Sequence, residues 1–266
     1  LLPEKDIVIL PETFISSFTS YLPGHPIVIF NQNVSYTFGT MKLSHNPYSV
    51  LSRYSSDSLS HVLCVSHHDL NVLTGGFGLD PNRVSLFVNA LEPGMFMPAK
   101  RKKRQIAFMP RKNMHDATVV CAMLSQQSWF KGWKFAPIQH STHQEVSQIL
   151  SESLIFLSFG HPEGFGLPVA EAFASGCVVI GYSGLGGREL FSLAEPFNVS
   201  KEIPYGDWLG FVSSVKEIAT MVESSPKQLA IALQQCSDLF NQTYNFDAMR
   251  RSVVIAIEAI ESRLCF

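Results

Sequence analysis

Charge is scarce in this sequence: 16% of its 266 residues are Asp, Glu, Lys or Arg, where a quarter is usual. What charge there is nearly cancels, with 20 Lys and Arg against 22 Asp and Glu. A dedicated nucleic-acid binder carries a basic excess to neutralise phosphates, so nucleic acid is excluded as the expected partner. No apolar run approaches the roughly 18 residues that would cross a bilayer. The opening residues also lack the basic segment and apolar core of a secretory signal. The expectation is a soluble, cytoplasmic protein.

Cysteine pairs are missing as well. Cys64, Cys121, Cys177, Cys236 and Cys265 lie far apart, mostly inside apolar stretches, with no Cys-x-x-Cys spacing. They read as reduced, buried thiols, and neither a zinc site nor a disulfide frame is suggested. Disorder is excluded by 46% hydrophobic residues and 20 Phe. The 17 Gly and 15 Pro are scattered without period, which excludes collagen-like repeats.

What is present is an alternation of short apolar strands with helical periods. The first third predicts strands at Asp6–Leu10, Pro26–Asn31, His61–Ser66 and Val84–Asn89. Each is a nearly continuous apolar run, as suits a strand buried on both faces of a parallel sheet. Leu91–Arg104 then holds Pro, Gly, two Met and five consecutive basic residues, Lys100–Arg104. It reads as a domain linker with solvated charges. A second use of the run, against an anionic membrane surface or a polyanionic acceptor, stays open.

A new series follows. Its predicted strands are Gln105–Met109, Trp133–Pro137, Leu154–Phe159 and Val178–Tyr182, with helices at Asp116–Phe130, His143–Leu150, Pro168–Ser175 and Gly187–Leu193. The last sixty or so residues read as helices over Trp208–Glu223, Pro226–Asn241 and Phe246–Leu264. Such alternation predicts an α/β fold of two Rossmann-like β/α/β domains. The domains are expected at 1–98 and 99–266, with the final helix crossing back to the first through Val253, Val254, Ile257 and Ile260. The chain opens on Leu1-Leu2-Pro3, and four strands fall short of the about six of a full Rossmann unit. The first domain is therefore expected to be incomplete.

The chemistry concentrates in Leu154–Phe191. A strand ends in the glycine-rich turn Gly160–Gly166, and a helix begins at Leu167-Pro168, where proline's missing N–H costs nothing. A second buried strand, CVVIGY, ends in Ser183-Gly-Leu-Gly-Gly187 before another helix. Ligands of open α/β sheets bind at the carboxyl ends of strands, and helix N-termini there favour phosphate. Glu163 and Glu171 bracket the first turn, and a carboxylate can accept both hydrogens of a ribose diol. The spacing alone is weak, since 14 Glu give by chance roughly 0.7 such pairs. A purely structural turn and an anionic-ligand site both remain open on the residues alone.

The segment Glu163-Gly-Phe-Gly-Leu-Pro-Val-Ala-Glu171, continued by Ala-Phe-Ala-Ser-Gly-Cys-Val-Val-Ile180, closely resembles the E-x7-E segment of retaining glycosyltransferases of family 4. That resemblance implies the GT-B architecture, with a nucleotide-sugar donor held by the second domain. It implies transfer of a sugar, of hexosyl type, to a glycan or lipid-linked acceptor with retention of configuration. Glu163 would be the catalytic carboxylate at the donor sugar's hydroxyls, and Glu171 would bind the ribose. Gly164, Phe165, Gly166 and Leu167 would surround the sugar and diphosphate, with His161 beside them. Arg111 and Lys112 occupy the family's basic position and would neutralise the diphosphate, so no metal or other cofactor is expected. Weak peripheral contact at the inner face of the membrane is a secondary expectation. The family's N-terminal glycine-rich loop is not found before Asp6. The second reading is therefore a non-catalytic or truncated nucleotide-sugar-binding module of the same fold.

Other polar clusters carry weaker signals. Adjacent histidines diverge, so His67-His68-Asp69 reads as a polar strand end rather than a metal site. Asn31-Gln32-Asn33 would line the acceptor side, and Glu189 reads as a helix-start acid.

Overall fold

The computed structural model describes residues 6–14, 24–39 and 46–264. The chain divides into two units between Asn89 and Ala90, ahead of the boundary expected from composition. Glu163–Phe165 and the chain from Asp247 onward group with the first unit; Ala90–Pro162 and Gly166–Phe246 form the second.

The first unit holds a sheet of four parallel strands in the order β1 (Val8–Pro11), β2 (Ile27–Asn31), β3 (Leu59–Cys64), β4 (Val84–Leu86). Side chains such as Ile29 and Val62, paired across β2 and β3, are fully buried. They pack with Leu10, Val50, Tyr54 and Leu73 into the unit's core. Helices α1 (Tyr48–Tyr54) and α2 (His67–Asn71) flank the sheet. The short α1 carries no clear apolar period, so sequence reading passed it by.

The long C-terminal helix (Phe246–Leu264) belongs to this unit. Ser252 Oγ accepts from the backbone N–H of Val88 at 3.0 Å, and Arg263 reaches Asp80 at 3.4 Å. The helix buries Ser252, Ala256 and Ile260, a stripe at i, i+4, i+8. This corrects the expected face: Val254 and Ile257 are exposed.

In the second unit five parallel strands run in the order β6 (Lys134–Pro137), β5 (Lys103–Phe108), β7 (Ser153–Ser158), β8 (Val178–Gly181), β9 (Ser200–Glu202). Every residue of β7 and β8 is buried, as helices on both faces require. Those helices are α3 (Met114–Ser125), α4 (His143–Glu152), α5 (Leu167–Ala174), α6 (Arg188–Ala194), α7 (Trp208–Ser224) and α8 (Pro226–Thr243). The final helix, Phe246–Leu264, is α9. The expected helix through Phe130 instead ends at Ser125 and is followed by a separate 3-10 turn at Ser128–Phe130. Along α5 runs α8, with Phe173 and Phe240 rings 4.7 Å apart and Ser237 Oγ donating to the Ala174 carbonyl at 2.5 Å.

The basic run is a solvated linker only at its start, where Lys100 and Arg101 are exposed outside any strand. Lys103 and Arg104 begin β5, and they pair with Glu152 at 2.5 Å and with Glu223. Lys102 turns inward: its Nζ donates to the Leu150 carbonyl at 3.1 Å and to the Ser175 carbonyl at 2.5 Å. Those carbonyls lie at the C-terminal ends of α4 and α5, where the helix dipole favours a cation. Burial nevertheless holds the Lys102 ammonium below its ordinary pKa.

Candidate functional site

The order β6-β5-β7 places a reversal of strand direction-of-travel at β5 and β7. Beyond the carboxyl ends of two such strands the departing helices lie on opposite faces, leaving a crevice that serves as the ligand site in doubly wound sheets. From β5 the chain enters the 3-10 turn Pro110–Lys112, with Arg111 and Lys112 exposed. Asn113 then caps α3: its Oδ1 accepts from the Asp116 N–H at 3.1 Å and its Nδ2 donates to Asp116 Oδ2 at 2.9 Å. From β7 the chain passes through half-buried His161 and re-enters the second unit at Gly166, the N-cap of α5. Arg111, Lys112, His161, Gly166, Leu167 and Glu171 thus lie on the segments leaving two adjacent strands. Leu167 is 43% exposed.

Gly166 has φ of 90°, in the left-handed region that an L side chain rarely adopts. Its carbonyl accepts from the N–H groups of Val169 and Ala170. It has no side chain to cap the helix, and Pro168, in the first turn, supplies no N–H and so needs no partner.

Glu163, Gly164 and Phe165 group with the first unit, and Phe165 is buried. A Cβ on Gly164 would stand 1.7 Å from the Gln32 carbonyl oxygen, so this glycine is demanded by backbone packing. The Gln32 N–H in turn donates to buried Glu12 at 3.1 Å. Neighbouring Asn31 is fully buried and directs its Nδ2 to Thr37 Oγ1 and Tyr54 Oη, an internal role.

Glu171 lies one turn into α5 with its side chain 14% exposed. Burial pushes its carboxyl above the ordinary carboxylate range, and His143 opposes that by hydrogen bond and charge. His143 Nε2 stands 3.4 Å from Glu171 Oε1. The sequence reading did not single out His143. A signal was there: Thr142-His-Gln-Glu145 forms a capping box, with the Thr142 N–H donating to Glu145 at 2.7 Å, and it places His143 at the first helical position.

A second missed group borders His161. The Tyr205 ring, 64% exposed, lies 4.5 Å from the His161 ring and 5.0 Å from that of Tyr182. Tyr182 Oη donates to Asp116 at 2.6 Å and accepts from the Gly206 N–H at 3.0 Å. This pins the loop after β9 across the exit of β8. Polar β9, Ser-Lys-Glu, gave no apolar run by which to place that loop.

His67, His68 and Asp69 open α2, with Ser66 capping the Asp69 N–H at 3.2 Å. Among the described residues no three His, Cys, Asp or Glu side chains are grouped to hold a metal ion, and no helix is long and apolar enough to cross a membrane. Cys64, Cys177 and Cys236 are buried free thiols, whereas Cys121 is only half-buried; Cys265 lies outside the described residues.

No family model matches the chain. A curated relative, an alpha-1,6-glucosyltransferase of Actinobacillus pleuropneumoniae serotype 7, is 29% identical over 213 residues, covering 77% of this chain and 59% of its own length. The chain therefore spans about three fifths of that relative. Sucrose-phosphate synthase of Thermosynechococcus elongatus superposes on 96% of the chain and 74% of its own, with a TM-score of 0.70 and 12% identity. Anabaena HepE, solved with UDP, covers 95% of the chain and 79% of its own at a TM-score of 0.67 and 11% identity. S. aureus TarM, solved with UDP and saccharide ligands, covers 95% and 55% at 0.68 and 10%. At such identities the likeness establishes the fold, which is that of the GT-B glycosyltransferases with their Rossmann-like domains.

Proposed function

We propose that this chain carries the donor site of a glycosyltransferase that takes a hexosyl group from a nucleoside-diphosphate sugar, with retention of configuration, and passes it to a glycan or lipid-linked acceptor. The observation that carries the proposal is the placement of Arg111, Lys112, His161, Gly166, Leu167 and Glu171 on the segments leaving β5 and β7, where the strand order reverses. The glucosyltransferase relative, and neighbours solved with UDP and UDP-glucose, support a uridine diphosphate sugar as the first donor to test.

In this reading Glu171 accepts hydrogen bonds from the ribose diol, and the diphosphate lies against the glycine-rich start of α5. Arg111 and Lys112 stabilise the charge that develops on the leaving diphosphate, work that needs no proton transfer by the protein. Retention follows from front-face attack. The acceptor oxygen bonds to the anomeric carbon as that carbon's bond to the phosphate oxygen breaks on the same face. The acceptor's proton goes to the departing phosphate. Glu163 holds the donor sugar's hydroxyls, and His161 borders the sugar. The chain is proposed to act in the cytoplasm, with weak contact at the membrane's inner face and no resident metal.

The test is calorimetric titration with UDP, GDP, ADP and UDP-glucose, using the native chain and Glu171→Gln. One base is expected to bind, about tenfold more weakly in the variant, the scale of one charge-assisted hydrogen bond. Binding by none of the three bases sinks the proposal. Binding without transfer to any acceptor by the full-length protein favours the non-catalytic module instead.

A further inference from the structure

Resting on the reading of Glu171 as the ribose acceptor, we propose that His143 is a positioning residue: it holds the Glu171 carboxylate charged and oriented, and so makes donor affinity depend on pH. Three observations meet here. The Glu171 side chain is mostly withdrawn from water, yet His143 Nε2 sits 3.4 Å from its Oε1, while the imidazole remains 55% exposed. The imidazole is not loose: its ring meets the edge of buried Phe96 at 5.1 Å. The Phe96 carbonyl is held by Asn241 of α8 at 3.3 Å. The capping box fixes the first turn of α4, and with it the backbone from which the imidazole projects.

Other charged groups around α5 are aimed elsewhere. Lys102 binds the carbonyl at the helix's far end. Glu189 of α6 acts on Tyr244. Glu145 bonds back to Thr142, and its acidity is raised there. Where α8 touches α5 it brings Ser237 and Phe240, which carry no charge. His143 is the one side chain that opposes the effect of burial on the Glu171 carboxyl among the described residues.

A carboxyl accepts both hydrogens of a diol at charge-assisted strength only when ionised, so donor affinity is full above the raised Glu171 pKa and falls as pH drops through it. Removing His143 takes away the group that opposes burial, so the fall begins at higher pH. The change in affinity within the acid fall is expected to be about threefold to fivefold, the scale of a half-exposed ion pair. Near pH 8.5 it should vanish.

The experiment is calorimetric titration of UDP-glucose, whose diphosphate does not titrate in this range, from about pH 5.5 to pH 8.5. The native chain is compared with His143→Ala, His143→Lys and Glu171→Gln. The acid fall should move to higher pH in His143→Ala, return toward native in His143→Lys and disappear in Glu171→Gln. Identical profiles for native and His143→Ala overturn the inference while leaving the donor site standing. Absence of any native binding overturns both.

Discussion

His61 offers a stability test that does not involve the proposed donor chemistry. It lies in the middle of β3, fully buried, with Nε2 at 2.8 Å from Ser85 Oγ on β4. Burial, followed by the nearby charges of Arg263 and Arg83, lowers its pKa from 6.5 to about 4. The sign follows from where the proton goes. Between those values the unfolded chain binds a proton that the folded chain refuses, so stability is complete above 6.5 and is lost as pH falls toward 4. From pH 7.5 to pH 5 the linkage amounts to about 2 kcal/mol, a large part of a typical domain's margin. Urea unfolding followed by far-UV circular dichroism at several pH values measures it, with His61→Leu as the non-titrating control. Trp129, Trp133 and Trp208 all lie in the second unit, so their fluorescence follows that unit alone in the same samples. Equal pH dependence in the native protein and His61→Leu would refute the assignment.

Gly164→Ala puts a methyl where the Gln32 carbonyl already stands. It is expected to abolish transfer even if the melting temperature falls only a few degrees; native transfer rates would show the loop to be free to move. Lys102→Met strips the cation from two helix ends and leaves both carbonyls unmet, at a cost of about 2–3 kcal/mol by urea unfolding. A neutral result would mean that the buried ammonium was already as costly as its bonds are favourable.

The sequence spoke most clearly where apolar continuity and glycine coincided. Ser153–Ser158 and Val178–Gly181 are buried on both faces, so their runs of Leu, Ile, Phe and Val were visible without any partner. The Gly-rich turns after them were visible for a related reason: few other residues tolerate the backbone of Gly166 or Gly184. What stayed hidden depends on tertiary partners. Nothing local distinguishes Lys102 from Lys103, yet one is sealed among carbonyls and the other faces Glu152. The Glu171–His143 contact spans 28 positions and joins two helices whose separation no periodicity encodes. The face chosen by α9 was misjudged because hydrophobicity was weighed without shape.

Lys102 has a consequence for motion. Its ammonium clips the far ends of α4 and α5 together, while His143 and Glu171 meet nearer their beginnings. The clip at the far ends is the tighter of the two ties, so the helices resist sliding there and yield more readily at the His143–Glu171 contact. A substitution at Lys102, just ahead of β5, is therefore expected to alter the spacing between His143 and Glu171 at the other end of the pair.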